Sequence, residues 1–244
     1  MKKRILYLAP HPDDESITGL LPLRLRQECG FAVWVAPVTL GSRKERRKAR
    51  LRELRAACQV LGFHWRLPMA VRAGMASVRQ IQALLEKLQP ALVVLPHAKD
   101  GHPTHQAAHK LGRAALDAFS RAVFSVVETE YWHPLARPNL MVAARGEHLK
   151  TLRRALACHK GEISRNDYAA RLPAWMSDNV RRGAELMGGR GAAAPKISHA
   201  TLYRVRVRAG GKWKAAFRGG RFILSPAELQ ALAAAWFSPP GRRA

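Results

Sequence analysis

Residues 9–15 read Ala-Pro-His-Pro-Asp-Asp-Glu and follow directly on the apolar run Ile5-Leu6-Tyr7-Leu8. The apolar run is short enough to predict a buried strand, and residues 16–28 predict a helix. In an open α/β sheet, ligands bind beyond the carboxyl ends of the strands, where these polar side chains would project. Burial of an imidazole together with carboxylates is costly unless a cation lies among them. The stretch therefore predicts a divalent-metal site.

A second polar cluster follows another predicted strand. Residues 91–95 are apolar, and the segment after them holds four of the chain's ten histidines: His97, His102, His105 and His109. Strands and helices alternate along this half of the chain, an order that predicts a largely parallel sheet. We therefore expect the second cluster to face the first from a neighbouring strand end.

Together the two clusters resemble the signature motifs of the PIG-L/LmbE-like zinc-dependent N-deacetylases, a family of N-acetylglucosaminyl deacetylases. The first family motif reads A-H-P-D-D-E, and residues 10–15 read Pro-His-Pro-Asp-Asp-Glu. The second family motif reads H-P-D-H, and residues 102–105 read His-Pro-Thr-His, so that Thr104 stands where the family has Asp. The resemblance extends over roughly residues 4–190.

The predicted fold class is α/β: a Rossmann-like three-layer sandwich with a mostly parallel sheet and a small C-terminal β-rich extension. We expect residues 1–190 to form a PIG-L-like deacetylase domain and residues 191–244 to form the extension, packed on the same domain. Apolar and basic residues alternate over residues 201–208 and are followed by Ala-Gly-Gly, which predicts a hairpin before a final helix. We also expect the basic residues of this tail to cover or extend a substrate crevice.

Three residues of the two motifs form the expected metal site. His11 and Asp14 lie three apart across a strand-to-helix turn, and His105 comes from the facing loop. Two histidines and one carboxylate leave a fourth position open, which is typical of a catalytic zinc site rather than a structural one. The same donors suit Fe²⁺, so they do not choose between Zn²⁺ and Fe²⁺.

The resemblance also implies roles for residues that do not bind the metal. Asp13 stands where the family places its general base, and His102 stands where it places the residue that stabilises the oxyanion and helps to protonate the leaving amine. We expect Asp100 to pair with His102, because Thr104 carries no charge. Glu15 is expected behind the metal ligands or on backbone N–H groups near the helix start. The other histidines of interest are expected on the surface or in packing: His97, His109 and His159.

Charge is the unusual feature of the composition. Lysine and arginine total 42 against 17 acidic residues, which gives a formal net charge of +25. This excess fits an anionic substrate, nucleic-acid binding or a solvated basic surface, but no recognisable nucleic-acid-binding motif is present. A basic helix is predicted over residues 43–60, beginning just past a strand end. Arg43 and Arg46 are therefore candidate substrate-binding residues, although a solvated amphipathic face explains the same pattern.

The cysteines and the apolar stretches bear on the cellular setting. The three cysteines are far apart and form no C-x-x-C pair, which indicates reduced thiols and a cytoplasmic protein. No stretch approaches the about 20 apolar residues that a membrane span needs. The apolar run near the N-terminus breaks at Pro10, too early for the core of a signal peptide. The sequence leaves the oligomeric state open.

These observations favour a metal-dependent hydrolase that removes the acetyl group from an acetamido sugar or its conjugate and releases acetate. The charge favours an anionic substrate, with a phosphate, nucleotide or lipid-phosphate linkage. The alternative is a basic protein that binds nucleic acid or an anionic surface on a degenerate deacetylase fold. A metalloprotease of the H-E-x-x-H type is disfavoured, because Gln106 follows His105 where that motif needs a glutamate. The absence of G-x-G-x-x-G and G-x-S-x-G argues against a dinucleotide cofactor and against a serine hydrolase.

Overall fold

The computed structural model describes residues 3–72 and 74–237. Its strands are β1 (Arg4–Ala9), β2 (Ala32–Pro37), β3 (His64–Trp65), β4 (Leu92–Pro96), β5 (Phe124–Thr129), β6 (Leu140–Ala144), β7 (His199–Ala209), β8 (Lys212–Ala215) and β9 (Arg221–Ile223). Its helices are α1 (Asp14–Ile17), α2 (Leu20–Cys29), α3 (Arg47–Leu61), α4 (Val78–Leu88), α5 (Pro103–Asp117), α6 (Gly146–Leu156), α7 (Lys160–Ile163), α8 (Tyr168–Gly188) and α9 (Pro226–Trp236).

The strands form one mixed sheet in the order β3-β2-β1-β4-β5-β7-β6-β9, with β8 paired to β7. The first five of these strands are parallel, and β1 lies between β2 and β4. Helices cover both faces of the sheet, as a parallel sheet requires. The predicted α/β sandwich with a mostly parallel sheet is therefore confirmed.

The core lies on both faces of the sheet, and β1 shows how the sequence produces it. Ile5 and Tyr7 pack into one buried cluster, and Leu6 and Leu8 pack into the other. A strand buried on both faces carries apolar residues at successive positions, which explains the uninterrupted run in the sequence. The first cluster includes residues of α2, α3 and α6, and the second includes residues of α4 and α5.

Two predicted helices differ from the observed ones at their starts. The helix predicted over residues 16–28 is interrupted at Thr18 and Gly19, between α1 and α2. Only glycine fits at position 19, because a Cβ on Gly19 would lie 1.9 Å from the carbonyl oxygen of Glu15. The predicted helix over residues 43–60 begins at Arg47 after a 3₁₀ turn at Lys44–Arg46.

The predicted C-terminal hairpin is confirmed as β7 and β8, but β7 lies inside the main sheet. It pairs antiparallel with β5 on one side and with β6 on the other. The β-rich tail is thus part of the same sheet as the first half of the chain. The division of the chain at residue 190 stays a prediction, and residues 1, 2, 73 and 238–244 of the two predicted parts lie outside the described residues.

Among the described helices, none combines the length and the apolar character that crossing a bilayer requires.

Candidate metal centre

The polar clusters of the two motifs meet at the carboxyl edge of the sheet. The turn after β1 carries the first motif, and α1 begins within it at Asp14. The loop after β4 carries the second, and α5 begins at Pro103 with His102 as its N-cap. Because β1 and β4 are neighbouring parallel strands, their ends bring the two motifs together.

Four side chains converge at this point. Ring nitrogens of His11, His102 and His105 all lie within 4.8 Å of one another. The Asp14 carboxylate lies between two of these rings, with Oδ2 3.6 Å from Nδ1 of His11 and Oδ1 3.5 Å from Nε2 of His105. Three imidazoles and a carboxylate at these distances form a donor set of the kind that Zn²⁺ or Fe²⁺ binds.

His105 is arranged as a metal ligand. Its Nδ1 lies 3.3 Å from Oδ2 of the buried Asp100, a contact that assigns the ring proton to Nδ1. Its Nε2 is buried and has no hydrogen-bond partner among the described residues. Burial lowers the pKa of His105, but the carboxylates of Asp14 and Asp100 outweigh this and raise the pKa above its ordinary value of 6.5. An orphaned buried nitrogen facing a carboxylate fits a bound cation.

His102 differs from His105 in its hydrogen bonding. Its Nδ1 accepts the backbone N–H of Thr104 at 3.2 Å, so in the neutral ring the proton is on Nε2. Burial, together with His11 and His105, lowers the pKa of His102 and favours this neutral form. The predicted pairing of Asp100 with the His102 ring is wrong: Asp100 accepts the backbone N–H of His102 at 2.9 Å and directs its other oxygen to His105. His102 is therefore arranged to donate a hydrogen bond from Nε2.

Asp13 is held in a strained backbone conformation. Its φ of 127° and ψ of −31° lie outside the regions that residues other than glycine ordinarily adopt. Its side chain is only 7% exposed. Burial, reinforced by the neighbouring Asp14, raises its pKa well above the ordinary value, against the opposing charge of Arg50. Strain of this kind is characteristic of functional positions.

Glu15 and His159 form a buried layer behind Asp13. Glu15 accepts the backbone N–H of Asp13 at 3.0 Å, and its carboxylate lies 2.8 Å from Nε2 of His159. This is the place expected for Glu15, on backbone N–H groups behind the metal site. His159 is buried against that carboxylate, whereas His97 and His109 are buried and bonded to backbone carbonyls. All three histidines pack inside the protein, and none of them is on the surface.

Several residues of the site were not predicted from the sequence. Arg50 is one of them: it is 9% exposed, donates to the carbonyl oxygen of Pro12 at 3.2 Å and lies 3.9 Å from Asp13. It also contacts Glu162 on α7 at 3.5 Å. Trp132 is 47% exposed at the mouth of the site, with Tyr168 edge-on to it. The aromatic pair Tyr131-Trp132, just after the apolar run that forms β5, was the available signal.

Two adjoining cavities open at this edge of the sheet. The smaller one, of about 100 Å³, contains the four converging side chains together with Asp13, Trp132 and Tyr168. The larger one, of about 510 Å³, we call the arginine chamber, since it is lined by Arg43, Arg46, Arg47, Arg50 and Arg165. Arg43 and Arg46 thus lie beside the metal centre, and Thr104 lines the same chamber. Among the described residues, none after Tyr168 lines either cavity, so the described part of the tail does not cover the crevice, and residues 238–244 of the tail lie outside the described residues.

Comparison with solved structures supports the fold. The crystal structure of the 4-carboxy-2-hydroxymuconate hydratase GalB from Pseudomonas putida has a TM-score of 0.66 and 18% identity, and covers 84% of this chain and 96% of that one. A deacetylase triple mutant from the teicoplanin biosynthetic pathway has a TM-score of 0.62 and 17% identity, with 84% and 98% covered. A hydratase and a deacetylase thus share this fold, which alone does not decide the reaction.

Sequence comparison is more specific. The probable N-acetyl-alpha-D-glucosaminyl L-malate deacetylase 2 of Bacillus cereus is 28% identical over 142 residues. That match covers 50% of this chain and 63% of the relative, so the chain spans less than two thirds of the relative's length. Residues 6–116 match the family described as PIG-L, GlcNAc-PI de-N-acetylase. These residues contain both polar motifs, and through them the chain is similar to the PIG-L family.

Proposed function

We propose that this protein is a metal-dependent hydrolase that removes the acetyl group from the acetamido nitrogen of an amino-sugar conjugate. The observation that carries the proposal is the orphaned, buried Nε2 of His105 facing Asp14, with the strained carboxylate of Asp13 beside them. The names of the Bacillus relative and of the teicoplanin-pathway structure supply the reaction class, since both proteins are deacetylases.

His11, Asp14 and His105 would hold the cation, which is Zn²⁺ or Fe²⁺ on the chemistry of these donors. When bound, such a cation lowers the pKa of water and polarises an amide carbonyl. The Asp100 carboxylate lies 3.3 Å from Nδ1 of His105, on the opposite side of the ring from Nε2, and favours the tautomer with its proton on Nδ1. Glu15 fixes the backbone of Asp13 through its N–H group.

The remaining steps belong to side chains of this chain. Asp13 accepts a proton from the attacking water as it adds to the amide carbonyl. His102 donates a hydrogen bond from Nε2 to the oxygen on which negative charge develops. The proton held by Asp13 then passes to the departing nitrogen, so that amide and water give a free amine and acetate. Asp13 and His102 line the same small cavity, as this sequence of transfers requires.

The proposal extends to an anionic substrate in the cytoplasm. The arginine chamber adjoins the small cavity, and the net charge of the chain is +25. The three cysteines are free thiols, as expected for a reducing compartment.

Acetate release tests this function directly. Protein reloaded with Zn²⁺ or Fe²⁺ is incubated with neutral and anionic acetamido sugars, beside the Asp13→Asn variant. We expect acetate from the wild type and a loss of rate in Asp13→Asn. Release that survives this substitution unchanged would reject the role of Asp13, and release from no acetamido compound would reject the reaction. A basic nucleic-acid-binding protein would instead bind polynucleotides with a steep dependence on salt.

A further inference from the structure

The arginine chamber has more positive charge than its carboxylates can balance. Five arginines line it, whereas Glu162 is the single lining carboxylate among the described residues. Glu53 and Asp13 lie outside the lining but contact Arg46 and Arg50, at 3.2 Å and 3.9 Å. Among the described residues, the five guanidinium groups of the lining thus outnumber these three carboxylates.

The arginines come from two different elements, so the chamber is enclosed by charge from two sides. Arg43 directly precedes the 3₁₀ turn, Arg46 ends it, Arg47 and Arg50 lie at the start of α3, and Arg165 follows α7. The side chain of Arg43 is exposed and makes no hydrogen bond or ion pair with any described residue. Guanidinium groups bind phosphate oxygens through paired, charge-assisted hydrogen bonds, which suits them to phosphate better than lysines would.

The size of the chamber argues for more than a single phosphate group. Its volume of about 510 Å³ falls within the range typical of small-molecule sites. A diphosphate diester carries one negative charge on each phosphate, and the arginines of the lining are numerous enough to pair with both phosphates. A monophosphate ester would leave much of this space without a charged partner.

The position of the arginine chamber indicates which part of the substrate would carry the diphosphate. The arginine chamber and the small cavity share His11, His102, Arg50, Glu162 and Arg165. An acetamido group in the small cavity would therefore leave the substituents of the neighbouring ring carbons at the entrance of the arginine chamber. In a 2-acetamido sugar one of these is the anomeric carbon, where a diphosphate is attached in activated sugars.

We propose that the arginine chamber binds the diphosphate of a sugar–diphosphate conjugate while the acetamido group of the same sugar occupies the metal centre. This inference rests on the proposed function for the acetamido group and adds the chemical class of the rest of the substrate. The diphosphate is the recognised element, whether a nucleoside or a lipid lies beyond it.

Binding of inorganic pyrophosphate to the full chain, measured by calorimetry, tests the chamber without any catalysis. The test variant Arg43→Gln/Arg165→Gln removes two exposed arginines from opposite walls. The matched control, Lys48→Gln/Arg52→Gln, removes the same charge from α3 residues that do not line the chamber. We expect the test variant to weaken pyrophosphate binding by about tenfold or more and the control by less than about twofold. Equal weakening in the two variants, or pyrophosphate bound no tighter than phosphate, would overturn the inference.

Acetate release then separates this inference from the function on which it rests. A nucleoside-diphosphate acetamido sugar and a polyprenyl-diphosphate acetamido sugar are compared with the corresponding sugar 1-phosphate and the free sugar. We expect a lower KM for the two diphosphate conjugates than for the sugar 1-phosphate and the free sugar. Of the two conjugates, the one that is hydrolysed faster shows whether a nucleoside or a lipid carries the diphosphate. Equal KM for free and diphosphate-linked sugars would overturn the inference and leave the deacetylase function standing. Selective pyrophosphate binding without acetate release from any sugar would reject the deacetylase function and support the chamber as a diphosphate site.

Discussion

Nε2 of His105 lies 3.5 Å from Oδ1 of Asp14, although the two residues follow different strands of the sheet. Nε2 of His105 is buried and has no hydrogen-bond partner among the described residues. A cation between the two groups would supply the partner that this nitrogen lacks and would neutralise the carboxylate.

This relationship predicts the metal content of variants. His105→Ala removes a ligand, so we expect less than about a tenth of the wild-type zinc to remain after dialysis, as measured by elemental analysis. His64→Ala is the control, because His64 is exposed and stacks on Trp34 away from the site. Equal zinc in both variants would show that His105 is not a ligand.

The backbone strain at Asp13 predicts a difference between two variants that both lack its carboxylate. Asp13→Gly relieves a φ of 127°, whereas Asp13→Ala keeps the strain. We expect Asp13→Gly to be more stable to unfolding than Asp13→Ala by about 1–3 kcal/mol in urea denaturation.

Both Asp13 variants should retain metal and lose activity. The loss expected for a missing general base is about 10²–10⁴-fold in kcat. Equal stability of the glycine and alanine variants would mean that the backbone at Asp13 stores no strain.

The position of Trp132 predicts that its substitution changes KM but not kcat. Its ring is 47% exposed in the small cavity, 6.2 Å from the His102 ring, and Tyr131 and Tyr168 hold it edge-on. Such a face suits the apolar side of a sugar ring. We expect Trp132→Ala to raise KM by about tenfold with little change in kcat, because this contact is present before and during the reaction. Trp132→Phe should keep most of the affinity for substrate. If the role of Trp132 were purely structural, Trp132→Ala would lower stability and kcat instead.

The contacts of His105 predict how zinc affinity depends on pH. Its pKa is raised above 6.5, so a proton competes for the ring until the pH exceeds that raised value. The pKa of Asp14 is lowered to about 2: burial pushes it up, but His105 and His11 outweigh that effect, and Asp14 stays ionised over this range. Zinc affinity should therefore be full above the raised pKa and fall as the pH drops through it. Titration against a competing chelator measures this, and a flat profile from about pH 8 to pH 5.5 would contradict it.

The parts of the fold that follow from local pattern were predictable from the sequence. β1 and β4 are buried on both faces, and their apolar runs are visible without any structure. The rule that parallel strands present their carboxyl ends together then places His11, Asp14 and His105 in one crevice. The helix Val78–Leu88 is likewise visible in the sequence, because its inward residues recur at helical spacing.

Other features depend on contacts between distant parts of the chain and left no local signal. Arg50 is one of several basic residues at the start of α3, and only the positions of Pro12, Asp13 and Glu162 explain its burial. The insertion of β7 between β5 and β6 depends on pairing across more than seventy residues of chain, as between Thr129 and Tyr203. The contact of Asp100 with the His105 ring, rather than with the His102 ring, depends on the cap geometry of α5.

The most direct test of the account is acetate release from an acetamido sugar by one preparation in three states: as purified, after removal of metal by a chelator, and after reloading with Zn²⁺ or Fe²⁺. The account predicts that release stops on chelation, returns on reloading, and does not return in His105→Ala. Release at an unchanged rate from the metal-free protein would contradict it.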